Sequence, residues 1–143
     1  HAKDYVRMMW MILQADQPED WVIATGKTTT VRDFVKMSFS HVGVTLKFKG
    51  SGSNEVAVVA DSSSSKYKFK KGQEVLAIDT SYYRPTEVDV LIGDATKAKE
   101  KLGWVPEKSL DELVKEMMNS DLEKIRKIKY LENGGYDSLN HFK

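Results

Sequence analysis

The sequence contains no cysteine, which excludes disulfide bridges, thiolate metal ligands and a cysteine nucleophile, and fits a reducing, cytoplasmic compartment. Proline (3) and glycine (9) are scarce among 143 residues, so collagen-like and low-complexity disordered architectures are out. Neither sign of charge dominates. Lys plus Arg number 22 and Asp plus Glu 21, and a net charge of +1 creates no global field to hold nucleic acid or an anionic membrane. Any anion must therefore be bound locally. No apolar run approaches the roughly 20 residues of a membrane span. His1, His41 and His141 lack metal-ligand spacing, so no metal site is expected. No Gly-x-Ser-x-Gly elbow supports a serine hydrolase, and no Gly-x-Gly-x-x-Gly turn follows a strand, so the dinucleotide fingerprint is missing. The first residue is His1, and the chain reads as an internal piece of something longer.

What is present suffices for one core: 41% of the residues are hydrophobic. Residues 4–14 place Val6, Met9, Trp10 and Leu13 at i, i+3, i+4 and i+7, one apolar stripe on a helix. Residues 21–26 form a short apolar run closed by glycine, the pattern of a buried strand. Thr30 and Asp33 make a shortened capping box for a second helix, which carries Val31, Phe34 and Val35 toward Gly43 and is followed by a strand over 45–48. Residues 50–73 are Ser- and Lys-rich and read as a solvated loop, with a short strand possible only at 56–60. The alternation of lysines with Tyr67 and Phe69 suits a nucleic-acid patch as well, but the solvated reading is preferred.

Beyond Gly72 the pattern predicts a strand-like run over 74–79, a strand over 88–92, a short helix over 97–102 introduced by Asp94 or Thr96 and closed by Gly103, and a long last helix. Ser109 and Glu112 form its capping box, and Leu110, Leu113, Val114, Met117, Met118 and Ile125 run down one face. Residues 133–143 read as a flexible tail. Helices and short strands thus alternate in an α/β, α+β-like arrangement, with 1–49 and 74–132 as the folded body.

The chemistry concentrates in three charged side chains. Pro85 fixes its own φ and pushes Arg84 into an extended conformation, so residues 84–87 make a stiff turn. A guanidinium fork at Arg84 suits a phosphate oxygen pair, and Glu87 suits a vicinal diol such as a ribose. The alternative, that Arg84 and Glu87 pair with each other in a surface turn, stands open on spacing alone. Arg32 offers a second guanidinium at the start of the second helix.

Several ordered blocks carry a family resemblance: His1-Ala-Lys-Asp-Tyr-Val6, residues 18–26 (PEDWVIATG), residues 31–35 (VRDFV), residues 83–88 (YRPTEV), then Gly93-Asp94, Lys97-Ala98 and Leu102-Gly-Trp104. Together they resemble the GDP-mannose 4,6-dehydratase family, from the first residue to about Leu122 and more weakly through 50–73. The resemblance implies an extended short-chain dehydrogenase/reductase with an N-terminal Rossmann domain that binds NADP and a smaller C-terminal domain that grips the GDP of GDP-mannose. This chain resembles mainly the second, with the Rossmann half largely missing. The family reaction converts GDP-mannose to GDP-4-keto-6-deoxymannose for GDP-fucose and related deoxysugars. Its catalytic Thr or Ser, Glu and Tyr-x-x-x-Lys set belongs to the Rossmann portion. Tyr67 and Lys71 have that last spacing here but in the wrong region, and the pair reads as accidental.

By resemblance, Arg84 binds the diphosphate, Glu87 receives ribose hydroxyls, and Pro85 and Thr86 complete that turn. His1 lines the pocket edge, and Arg32 makes either a nucleotide contact or a surface ion pair. Trp21, Phe34, Val35, Leu102 and Trp104 read as core. No catalytic or cofactor-binding residue is expected in this chain, which alone should be inactive because the hydride chemistry belongs to the cofactor. Expected partners are GDP-mannose, the rest of the Rossmann domain and, in the complete protein, further copies in a dimer or tetramer. Two other readings are a different nucleotide-sugar epimerase or dehydratase of the superfamily, and a non-catalytic relic or interaction module. An isolated piece is also expected to expose part of the Val6, Met9, Trp10 and Leu13 stripe.

Overall fold

The computed structural model describes residues 1–82 and 90–136. Four helices, α1 (Ala2–Leu13), α2 (Val31–His41), α3 (Thr96–Leu102) and α4 (Leu110–Asn133), accompany three strands, β1 (Val44–Lys49), β2 (Val56–Ser62) and β3 (Glu74–Ala77). The strands form one antiparallel sheet in the order β1-β2-β3. Thr45 lies opposite Asp61 and Lys47 opposite Val58, with a register shift between Thr45 and Leu46. A mixed α/β fold, as expected, is what the chain adopts.

Local chemistry accounts for the helix ends. The Thr30 hydroxyl accepts the Asp33 N–H at 3.0 Å and donates to its carboxylate at 2.7 Å, capping α2 from one side chain. Ser109 and Glu112 complete the reciprocal capping box of α4. The Asp94 carboxylate accepts the N–H and hydroxyl of Thr96, the first residue of α3, at 2.9 and 2.6 Å, and Ala95 between them is the N-cap. Gly103, at φ 68°, ends it in the left-handed region and returns the Trp104 N–H to the Ala98 carbonyl at 3.2 Å.

That turn delivers Trp104 into a core cluster with Met8 and Ala98, against which Met11, Ile12, Trp21 and Leu102 pack. Val44, Ala57, Val58 and Val59 are buried within the sheet, and α2 packs on both β1 and α4. Within residues 50–73, read as a Ser/Lys-rich loop with a short strand at 56–60, that strand forms and is the central one. Consecutive Val and Ala residues at 56–60 give β2 two buried faces, which no flanking serine or lysine could. Phe69 also packs edge-on to Phe39, with ring centroids 6.0 Å apart.

Three other expectations need correction. Residues 21–26 and 90–92 are not strands. They lie against each other, with the Thr28 hydroxyl donating to the Leu91 carbonyl at 3.4 Å, but no strand ladder holds them. The alternation of Trp21 and Ile23 inward with Val22 outward survives without the pairing. The α1 stripe of Val6, Met9, Trp10 and Leu13 is exposed by 55–80%, as expected of an isolated piece, and Met8, Met11 and Ile12 face the core instead. On α4 only Val114 of the expected stripe is fully buried, and Met117 and Ile125 are exposed. Of the tail, Tyr136 returns its N–H to Leu131 at 3.0 Å, and residues 137–143 lie outside the described residues.

The close approach of the two extended segments depends on Gly93. A Cβ there would stand 2.5 Å from the Ala24 Cβ and 3.2 Å from Val22 Cγ1, in a place already filled. Gly93→Ala is expected to lower stability by about 1–3 kcal/mol, the usual cost of overpacking, measured as a shift in urea midpoint. An unshifted midpoint would show that the segments separate freely.

Candidate functional site

The first turn of α1 and the approach to α4 are held together by one carboxylate. Asp4, 4% exposed, accepts the backbone N–H groups of Glu107 and Lys108, both at 3.1 Å. Arg7, one turn on, donates to the Val105 carbonyl and lies 3.3 Å from Glu107 and 3.8 Å from Asp4. Burial pushes the Asp4 pKa up, but the two N–H donors and the charges of the terminal ammonium and Arg7 outweigh it, and the carboxyl titrates below its ordinary value. Residues 105–109 are thereby pinned to α1, and α4 starts from a fixed point.

His1 occupies the same junction. Its Nδ1 accepts the Lys3 N–H at 3.1 Å, capping α1, and its Nε2 lies 3.3 Å from Glu116 on α4. An Nδ1 that accepts leaves the proton on Nε2, which then donates to the carboxylate. Only 9% of the side chain is exposed. It forms one wall of a cleft of about 620 Å³ between the start of α1, the 25–29 loop and the start of α4. Thr25, Lys27, Thr29 and Asp111 contribute polar groups to that cleft, and Leu110 and Leu113 an apolar surface.

Arg32 is engaged elsewhere. Its Nε and Nη2 donate to the two carboxylate oxygens of Glu55 at 2.8 and 2.5 Å, and its guanidinium lies 5.5 Å from the centre of the Phe48 ring. The Arg32 hydrogen bond holds the Glu55 carboxyl below its usual range. Arg32 is thus paired with Glu55, and this pair uses its Nε and Nη2 alone. The turn of Arg84, Pro85, Thr86 and Glu87 lies outside the described residues. Earlier in the chain, the Asp79 carboxylate accepts the Ser81 N–H and hydroxyl at 2.9 and 2.7 Å.

Sequence reasoning missed Asp4, Arg7, Lys27 and the two threonines of the cleft. Asp4 alone left a signal, an acidic residue on the helical face otherwise occupied by Met8, Met11 and Ile12. Among the described residues no group of three His, Cys, Asp or Glu side chains could hold a metal ion, and no helix is long and apolar enough to cross a membrane. The described residues also do not fit a dinucleotide: the sheet is antiparallel throughout, and no strand leads through a glycine-rich turn into a helix.

A small α/β unit with a polar cleft at a helix junction defines no family by itself, but comparison with known proteins does. The family model described as GDP-mannose 4,6 dehydratase matches residues 1–117. The GDP-mannose 4,6-dehydratase of Yersinia enterocolitica is 49% identical over 138 residues, covering 96% of this chain and 37% of that protein. The Vibrio cholerae protein of the same name is 47% identical over the same shares. The Homo sapiens protein is 49% identical over 126 residues, 88% of this chain and 32% of its own length. The chain belongs to the GDP-mannose 4,6-dehydratase family. It spans about a third of the length of the curated relatives it matches, in their C-terminal portion.

Proposed function

We propose that this chain is the substrate-gripping portion of an enzyme that converts GDP-mannose to GDP-4-keto-6-deoxymannose. The observation that carries the reading is identity near one half, spread over 96% of the chain, to a protein named for that activity. Within it, Arg84 meets the diphosphate, Glu87 takes ribose hydroxyls, Pro85 and Thr86 stiffen the turn between them, and His1 walls the pocket. These residues bind and orient. They supply no hydride acceptor, and the NADP of the family reaction is held by residues outside this chain, in a Rossmann domain. The chain alone is inactive, and its complete form assembles with further copies and works in the cytoplasm.

The test is titration of the chain with GDP-mannose. Arg84→Ala is expected to weaken binding by about 1.5–3 kcal/mol, the range for a hydrogen bond to a charged group. Unchanged affinity would make the turn structural. Tighter binding of UDP-glucose or dTDP-glucose than of GDP-mannose would replace the reading with another enzyme of the superfamily.

A further inference from the structure

We propose that the outer face of α4 is a self-association surface, on which a second copy of this chain lies antiparallel with Asp121 of each copy opposite Lys124 of the other. One side of the helix is already committed to its own fold. Asn119 Oδ1 lies 2.9 Å from the His41 ring Nε2 on α2, and Arg126 donates to the Tyr67 hydroxyl at 2.5 Å. Asp121 and Lys124 each stand two residues from one of these anchors, about 200° around the helix, so they face away from the body. Both are exposed. On that outer face Met117, Asp121, Lys124, Ile128 and Leu131 follow one another at alternating steps of four and three, the spacing of a seam between two helices. Met117 and Leu131 are 45% and 42% exposed, and Ile128 is half-buried.

The charges select the occupant. Neither Asp121 nor Lys124 enters an ion pair among the described residues, whereas on the same helix Lys127 is matched to Glu123 at 2.7 Å and Glu112 to Lys108 at 3.4 Å. A parallel copy in register would set Asp121 against Asp121 and Lys124 against Lys124. An antiparallel copy sets each against its opposite, twice by the two-fold symmetry. The same register places Met117 opposite Ile128 and brings Leu131 to the level of Val114, beside a cavity of about 210 Å³ with His1, Leu113 and Met117 in its walls. Apolar side chains thus flank a central polar pair, which fixes register and direction at some cost in affinity. The seam is short, so the dimer is weak and depends on concentration. By contrast, the exposed stripe of Val6, Met9, Trp10 and Leu13 on α1 carries more apolar surface but no charge that selects a partner.

The experiment is sedimentation velocity on the full chain over a concentration series, which is expected to show monomer and dimer in equilibrium. Asp121→Lys and Lys124→Glu each oppose like charges at two places, so each should weaken the dimer by about tenfold or more, and the double variant should restore it to within about threefold of the parent. Leu13→Ser, in the α1 stripe, should leave the equilibrium unchanged. All three side chains are exposed, so the variants keep the fold, which circular dichroism verifies. A monomer at every concentration would overturn the proposal. So would a dimer that survives both single reversals, a double variant no tighter than the single ones, or a dimer abolished by Leu13→Ser.

Discussion

Replacing Trp104 by alanine is expected to destabilise the chain by about 3–5 kcal/mol, enough to unfold a large part of it, since small domains hold only about 5–15 kcal/mol in total. The side chain is 2% exposed and shares its cluster with Met8 and Ala98. Truncation leaves a cavity that the backbone cannot close, because Gly103 and α3 fix the approach from one side and α1 from the other. The indole N–H also donates to the Asp4 carbonyl at 3.2 Å, so the variant loses a buried hydrogen bond as well. Trp104→Phe keeps most of the volume and should cost markedly less. Urea unfolding followed by far-ultraviolet circular dichroism checks both, and a parental midpoint for Trp104→Ala would remove the residue from the core.

That core was half legible. Leu102 ends and Trp104 follows a helix whose stop at Gly103 is written in an adjacent residue, and a cap of this kind reports local chemistry that the tertiary fold seldom overrides. The α4 capping box is legible for the same reason. Strands are different: residues 21–26 show the right alternation, yet a strand exists only when a second backbone completes its hydrogen bonds, and alternation reports burial alone. β2 shows the converse: its apolar run at 56–60 is legible among serines and lysines, but its place between β1 and β3 is not.

The exposure of one α1 stripe was expected, but not the face that meets the core. The helix carries two apolar stripes, and periodicity cannot say which one meets the core. Asp4 decides, because its carboxylate has backbone donors to satisfy on the side of Met8. At the candidate site, His1 was legible only through resemblance. The partner of Arg32, Glu55, stands 23 residues away and comes from the segment that looked least structured. The cleft residues Lys27, Thr29 and Asp111 belong to no local motif, and only the folded junction brings them to one cavity.

Asp4→Ala is the second large effect expected, about 3–5 kcal/mol. The substitution strands the N–H groups of Glu107 and Lys108 and leaves Arg7 with less negative charge to face, and removing one member of a buried charged network costs far more than the network is worth net. Asp4→Asn retains one acceptor oxygen and should cost less. The same carboxylate gives the junction an acid limit. Its folded pKa lies below its ordinary value near 3.8, so between the two the unfolded chain binds more protons, and stability rises with pH. The contribution of Asp4 is therefore complete above the ordinary carboxylate range and is lost as pH falls through the depressed folded value. Glu19, Asp33, Glu55 and Glu112 are lowered as well, so acid weakens the whole chain, and the share of Asp4 is the difference between parent and Asp4→Asn. Unfolding free energies measured from pH 7 down to the acid transition should converge for the two proteins as Asp4 becomes protonated. Curves that stay parallel throughout would mean that the two backbone N–H groups find their acceptors elsewhere and that the start of α4 is not pinned by this residue.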